Sequence, residues 1–182
     1  QVLSKMLPDE EKTDEREPVV WFVMQGSTYS EDQGKKYLWA PLLDRGGRAQ
    51  RHWDALMDVR PGDIILHNTV GGIKALSKAI SVHSLCDDPF GEKSEWRGEG
   101  RKVDVQVLFE LNPIITPDDT RRLKILLAKA LSGLRGPFNS QGTGNQGYLF
   151  EFNWEALAIL LESTRIKLPE EVSRWLPELS LP

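Results

Sequence analysis

The chain has 182 residues, a net charge of −4, 40% hydrophobic and 27% charged residues, and a single cysteine, Cys86. These values suit one soluble domain with a sizeable core. They exclude an internal disulfide and a cysteine-held metal cluster, a globally basic nucleic-acid coat, and a membrane-spanning helix, since no apolar run approaches about 18 residues.

Residues 1–18 carry six acids and three bases, lack apolar periodicity, and read as a disordered acidic segment or linker. The rest of the chain is nearly balanced, so a local basic face remains open. "VVWFVMQ" (19–25) is a short apolar, partly β-branched run and reads as a buried strand. "GSTYSEDQGKKY" (26–37) is a polar loop, and "LWAPLLDRGGR" (38–48) continues irregularly, broken by Pro41 and Gly46-Gly47. In "AQRHWDALMDV" (49–59), Trp53, Leu56 and Met57 share one helical face. "RPGDIILHN" (60–68) is a turn feeding a strand. "GGIKALSKAISV" (71–82) slips in its alternation and reads as a bulged strand, with a helix as the rival.

A long loop is expected over 83–100, a length that often marks function. "RKVDVQVLFEL" (101–111) alternates Val103, Val105, Val107, Phe109 and Leu111, the clearest half-buried strand in the chain. A helix is expected over 117–133, a strand over 147–153 and a helix over 154–164. A last short helix (169–176) belongs to a C-terminal segment, 165–182, that otherwise reads as linker. The order lacks regular βαβ alternation, which predicts an α+β fold: a small, mostly antiparallel sheet or open barrel with flanking helices.

"GTGNQGYLF" (142–150) has the glycine spacing of a dinucleotide-binding loop. That motif requires a strand before it and a helix after it, so that the helix N-terminus meets the pyrophosphate. Here a helix precedes and a strand follows, so the glycines shape a turn or a close approach instead. The three histidines lack zinc spacing, and no nucleophile elbow or phosphate-binding loop is present. No cofactor or metal is expected, and the chain alone carries no catalytic constellation.

Six Trp are present. Trp21, Trp53, Trp154 and Trp175 lie in periodic elements and read as core. Trp39 and Trp96 lie in irregular segments, where packing and base stacking are both open readings. The run Gln25-Gly26-Ser27-Thr28-Tyr29 offers an amide and hydroxyls at a strand end. It suits either local turn bonding or a pocket that reads a base edge. Basic clusters occur at Arg45, Arg48 and Arg51, at Arg97, Arg101 and Lys102, and at Arg121, Arg122 and Lys124. Each reads as solvated surface or, where two share a face, as a phosphate clamp.

The series "WFVMQGSTY", "LWAP", "HWDALMDVRPGDIILHNTVGGIKALSKA", Trp96, "GRKVDVQVLFELNPI" and "GPFNSQGTGNQGYLF" resembles the EVE domain of the PUA-like superfamily, related to YTH and ASCH domains. The likeness spans about residues 19–163, within an expected domain over 19–164. It is nearest to the EVE modules of modification-dependent restriction endonucleases, which are often joined to HNH nuclease or McrB-type motor domains. The resemblance implies an open β-barrel with flanking helices. It also implies recognition of 5-methylcytosine or 5-hydroxymethylcytosine in double-stranded DNA, flipped into an aromatic pocket. Carried over by position, Gln25, Gly26, Ser27, Thr28 and Tyr29 with Trp39 form that pocket, His67 and Asn68 reach its rim, and Asn145 and Gln146 face it from the opposite loop. Arg45, Arg48, Arg51, Arg97 and Arg101 are the candidate phosphate contacts. The expected setting is cytoplasmic, with a fused nuclease or motor domain in the parent protein. An RNA-binding module, a small nucleotide or RNA hydrolase, and a protein adaptor are the alternatives.

Overall fold

The computed structural model describes residues 16–30, 35–89, 98–162, 164 and 166–179. Residues 1–15, Trp96 and Arg97, all named in the expectations above, lie outside them. The strands are β1 Val20–Gly26, β2 Tyr37–Pro41, β3 Ile64–Thr69, β4 Gly72–Ala79, β5 Ser84–Asp87, β6 Glu99–Ile115 and β7 Leu149–Glu151. The helices are α1 Arg51–Asp54, α2 Pro117–Arg122, α3 Lys124–Ala130, α4 Trp154–Leu161 and α5 Glu170–Ser173. Single 3-10 turns follow β1 (Ser27–Ser30) and α1 (Ala55–Asp58).

The strands form one curled sheet in the order β2-β6-β4-β3-β1-β7, with β5 also paired to β6. β1 and β3 run parallel, and the other pairings are antiparallel. The architecture is α+β, an open half-barrel with flanking helices, as the element order predicts. Register shifts in β1 at Met24/Gly26, in β3–β4 at His67/Asn68, and twice between β4 and β6 bend the sheet, as extra residues on one strand of a pair do. The slipped alternation of 71–82 is one of these bulged strands.

Several boundaries differ from the sequence reading. Residues 37–41, expected to be irregular, are β2: Pro41 ends the strand and costs no central ladder bond. The loop expected over 83–100 opens with β5, which lies along β6 from Ser84↔Lys102 to Asp87↔Glu99. The helix expected over 117–133 is two, α2 and α3, interrupted at Leu123, whose backbone (φ −93, ψ 7) leaves the helical region. Segment 166–179 is more than linker. Val172 is fully buried, Leu168, Leu176 and Leu179 pack on the core, and Trp175 stacks on Trp154 at 6.3 Å between ring centroids.

Alternation along the strands sends side chains to opposite faces. Val20 and Phe22 of β1, Ile64 and Leu66 of β3, and Leu76 of β4 meet α3 and α4 on one face. Trp21, Val23, Ile65, Leu38, Ala40, Val103 and Val105 fill the concave face, with Trp53, Leu56 and Val59 closing over them. Asn153 secures the helical layer. Its Oδ1 accepts from Ala156 N–H (2.8 Å), capping α4, and its Nδ2 donates to Ala130 C=O (2.7 Å) at the end of α3.

Asp63, in the "RPGD" turn, is fully buried and gathers five hydrogen bonds. Both Arg16 guanidinium nitrogens donate to it at 2.7 Å, as do Trp21 Nε1 (3.0 Å), Val19 N–H (3.1 Å) and Arg60 N–H (2.9 Å). The carboxylate therefore pins the segment before β1, the Trp21 indole and the turn into β3 to one point. A buried carboxylate is tolerated only when its lone pairs are satisfied in this way. Removing the acceptor takes its carboxylate partner from Arg16 and its acceptor from the Trp21 indole N–H. Asp63→Ala is expected to lower unfolding free energy by about 3–5 kcal/mol in urea titration. A loss below about 1 kcal/mol would show that the pins are dispensable.

Candidate functional site

A concave surface lies where β1, α1 and the segment before β7 meet. Tyr148, just before β7, joins three elements there. Its C=O accepts from Met24 N–H of β1 (2.8 Å), its N–H donates to His52 Nδ1 of α1 (3.0 Å), and its hydroxyl accepts from Trp39 N–H of β2 (3.0 Å). Since β2 and β7 are the opposite ends of the sheet order, Tyr148 stitches the open side of the curl. Burial raises the pKa of its hydroxyl, which stays protonated.

Beside this seam is a hollow of about 640 Å³, within the ~300–1,000 Å³ usual for small-ligand sites. Met24, Trp53, Gly147 and Tyr148 supply its apolar and aromatic walls. Asp44, Gln50, His52, Asn145 and Gln146 supply its polar groups. A second, more apolar hollow of about 330 Å³ adjoins it and is lined by Trp21, Met57, Leu149 and Phe150. His52 and Gln146 belong to both and form the partition between them.

The loop 136–147 is shaped by its own polar groups. Asn139 Oδ1 accepts from Gln141 N–H, Thr143 N–H and the Thr143 hydroxyl. Asn145 Nδ2 donates to Gly136 C=O (3.1 Å). Gly142 has φ +76, and a Cβ there would stand 2.6 Å from Thr120 C=O. The glycine spacing thus serves a tight turn packed on α2, as the inverted order of elements predicts.

The opposite wall starts at Asp44. Its Oδ1 accepts from Gly46 N–H (2.8 Å) and Arg48 N–H (2.9 Å), and its Oδ2 accepts from Gln50 Nε2 (2.7 Å). The Arg48 backbone bond and the Gln50 side chain hold its carboxyl below the usual range. His52 is half-buried, and burial lowers its pKa. With Nδ1 accepting from Tyr148, the neutral ring carries its proton on Nε2.

The residues expected in the pocket divide into two groups. Asn145 and Gln146 do line the hollow, from an exposed position. Trp39, Gln25, His67 and Tyr29 lie outside it. Trp39 is 5% exposed and lies over the β6 backbone, where a Cβ on Gly100 would come within 2.5 Å of its ring; its Nε1 donates to Cys86 C=O (2.9 Å). β2 alternation turns Leu38 and Ala40 to the concave face and Trp39 away from it.

Gln25 and His67 form a buried chain inside the sheet. His67 Nδ1–H donates to Gln25 Oε1 (2.5 Å), and Ser77 donates to Nε2 (2.6 Å). The Tyr29 ring packs on His67 at 5.2 Å, and its hydroxyl, pushed up to about 12 by burial and by Glu110, donates to Glu110 (3.4 Å). Gly26 (φ +54) ends β1, Ser27 is exposed, and the Thr28 hydroxyl donates to Gln25 C=O, the local turn bonding that the sequence left open. Asn68 is half-buried and its Nδ2 contacts the Met24 sulfur at 3.1 Å.

Among the expected phosphate contacts, Arg45 and Arg48 are exposed beside Asp44, and Arg51 lines the smaller hollow. Arg101 is instead paired with Asp54 at 2.8 Å. Arg121 and Arg122 are paired with Asp118 and Asp119 along α2. Residue patterns had not singled out Asp44, Gln50, His52 or Tyr148, and had assigned Trp53 to the core alone. Among the described residues no cluster of three or more metal-ligating side chains occurs.

No protein-family model and no curated protein matches this sequence. Solved structures do. The human THYN1 protein in complex with 5-methylcytosine-containing DNA aligns with a TM-score of 0.52 at 14% identity, over 82% of this chain and 99% of that one. The DUF55 domain of human thymocyte nuclear protein 1 aligns at 0.51 and 15%, over 81% and 99%. A Pseudomonas putida protein aligns at 0.51 and 12%, over 79% and 97%. At such identities the likeness establishes a shared fold, consistent with the open barrel and flanking helices that the sequence resemblance implies.

His67 gives the buried chain a pH signature. Desolvation lowers its pKa to about 3, against about 6.5 in the unfolded chain. The unfolded state therefore takes up a proton first as pH falls. The contribution of the neutral ring is full above about pH 6.5 and is lost as pH drops toward 3, with a slope of up to about 1.4 kcal/mol per pH unit. His52 adds a change of the same sign. Between pH 6.5 and 5, denaturant midpoints should fall in the wild type and fall less steeply in His67→Asn. Parallel curves would contradict a neutral buried His67.

Proposed function

We propose that this chain is a reader of modified cytosine in duplex DNA, and that the hollow beside Tyr148 receives the flipped base. The observation that carries the reading is the hollow itself. It has the volume of a small-ligand site, aromatic walls at Trp53, Tyr148 and His52, and amides on its rim. It lies in a fold shared with a protein solved in complex with 5-methylcytosine-containing DNA.

The energetics favour such a site. Extruding a base costs a few kcal/mol of stacking and pairing, and each aromatic face that stacks on it returns about 1–3 kcal/mol. A methyl group against Met24 and Trp53 adds about 0.8 kcal/mol. A hydroxymethyl group adds a hydrogen-bonding partner for Asn145 or Gln146, which discriminates more strongly. Arg45, Arg48 and Arg51 border this end of the sheet and would hold phosphates on either side of the flipped nucleotide. In the full protein the reader would direct a separate nuclease or motor domain, as in modification-dependent restriction enzymes.

Matched duplexes containing one cytosine, 5-methylcytosine or 5-hydroxymethylcytosine, with single-stranded RNA alongside, test the reading by fluorescence anisotropy. The modified duplexes should bind more tightly than the plain one, and Arg48→Ala should weaken all three alike. Asn145→Trp, at an exposed rim position, should fill the hollow and erase the preference while leaving salt-sensitive binding in place. Equal affinity for the three duplexes, or a preference for RNA, would overturn the reading.

A further inference from the structure

We propose that Asp44 and His52 make this hollow select a nucleobase with an exocyclic amino group over one with a keto group in the same place. The inference rests on the base-reading role just given and adds what the hollow reads besides the 5-substituent.

5-Methylcytosine and thymine carry the same methyl group on the same ring, so an apolar wall cannot separate them. Their outer edges are opposite. Cytosine offers an amino donor at position 4 beside an unprotonated ring nitrogen, and thymine offers a carbonyl acceptor beside a ring N–H. A site that tells them apart needs a fixed acceptor next to a fixed donor, and the hollow contains one of each.

Asp44 is the acceptor. A carboxylate has about four acceptor directions. Three are taken, by Gly46, Arg48 and Gln50, and Oδ2 receives only Gln50. These same three bonds hold the carboxylate rigid at the hollow's edge. A 4-amino group completes the fourth direction, whereas a 4-keto oxygen meets a negative oxygen and is repelled. His52 is the donor. The Tyr148 N–H occupies Nδ1 at 3.0 Å, so the neutral imidazole presents Nε2–H and cannot exchange roles without breaking the seam. That N–H matches the unprotonated ring nitrogen of cytosine and opposes the ring N–H of thymine. Adenine shares the amino-beside-nitrogen order, so this pair reads amino against keto, and ring size is left to the walls.

The test uses duplexes with 5-methylcytosine, cytosine or thymine at one position opposite an abasic site, which removes base-pairing differences. Wild type should bind 5-methylcytosine more tightly than thymine by on the order of 10-fold. Asp44→Asn keeps an acceptor for the Gly46 and Arg48 amides while replacing Oδ2 with a donor, which the Gln50 amide meets with its oxygen by flipping; it should shrink that ratio to below about 2-fold with an unchanged melting temperature. His52→Gln should shrink it by a separate route. A wild-type ratio below about 2-fold, with 5-methylcytosine still preferred over cytosine, would overturn the amino-selection inference and leave the reader standing. An unchanged ratio in Asp44→Asn would overturn Asp44 as the selector. Equal binding of 5-methylcytosine and cytosine would overturn the reader and this inference together.

Discussion

Three hydrogen bonds made by one residue, Tyr148, hold the functional end of this protein together. An open curled sheet has two unpaired ends, and exposed strand edges are a liability. Here the Tyr148 carbonyl continues the β1–β7 pairing, while its hydroxyl reaches across to the Trp39 N–H on β2. Its own N–H fixes the ring of His52. A main-chain amide on β2 is thus satisfied by a side chain rather than by another strand, and the curl stops short of closing into a full barrel. The gap left at this side becomes the hollow.

The same arrangement explains the division of labour among the aromatics. Trp39 and Trp53 come from segments that flank the hollow in sequence, yet they do different work. Trp39 lies against a β6 backbone made flat by Gly100 and serves the outer surface of β2. Trp53 closes the concave core and shows part of its surface to the hollow. Behind them the Gln25–His67–Ser77 chain runs through the sheet with every member hydrogen-bonded. A fully satisfied buried chain fixes strand register, and here it ties β1, β3 and β4 together next to the bulges that bend them.

Much of the fold was legible because strands with one buried face announce themselves by alternation. β6 did so, β1 stood out as a short apolar run and β3 as a run after a Pro-Gly turn, and the bulge in β4 was visible as a slip. β2 was hidden because Pro41 and the following glycines suggested a breaker, although Pro is acceptable at a strand's end. β5 was hidden because its four residues are short, mostly exposed and lack alternation. The site was less legible for a different reason. Asn145 and Gln146 could be reached because they belong to the loop motif of the resemblance. His52 and Tyr148 come together through a contact spanning about a hundred residues, which local patterning does not register, and Asp44 joins them only as part of the same hollow. The placement of Trp39 follows from that missed strand: once residues 37–41 are extended, alternation alone turns its side chain away from the concave face.

The central claim is that an extruded modified base lodges against the Tyr148 seam. Isotope-filtered NOE spectroscopy tests this directly on the protein bound to a duplex with one 5-methylcytosine. The account predicts cross-peaks from the 5-methyl protons to ring protons of Trp53, Tyr148 or His52, with loss of contacts to the neighbouring bases. Methyl protons that keep their contacts to stacked neighbours and show none to these rings would contradict it.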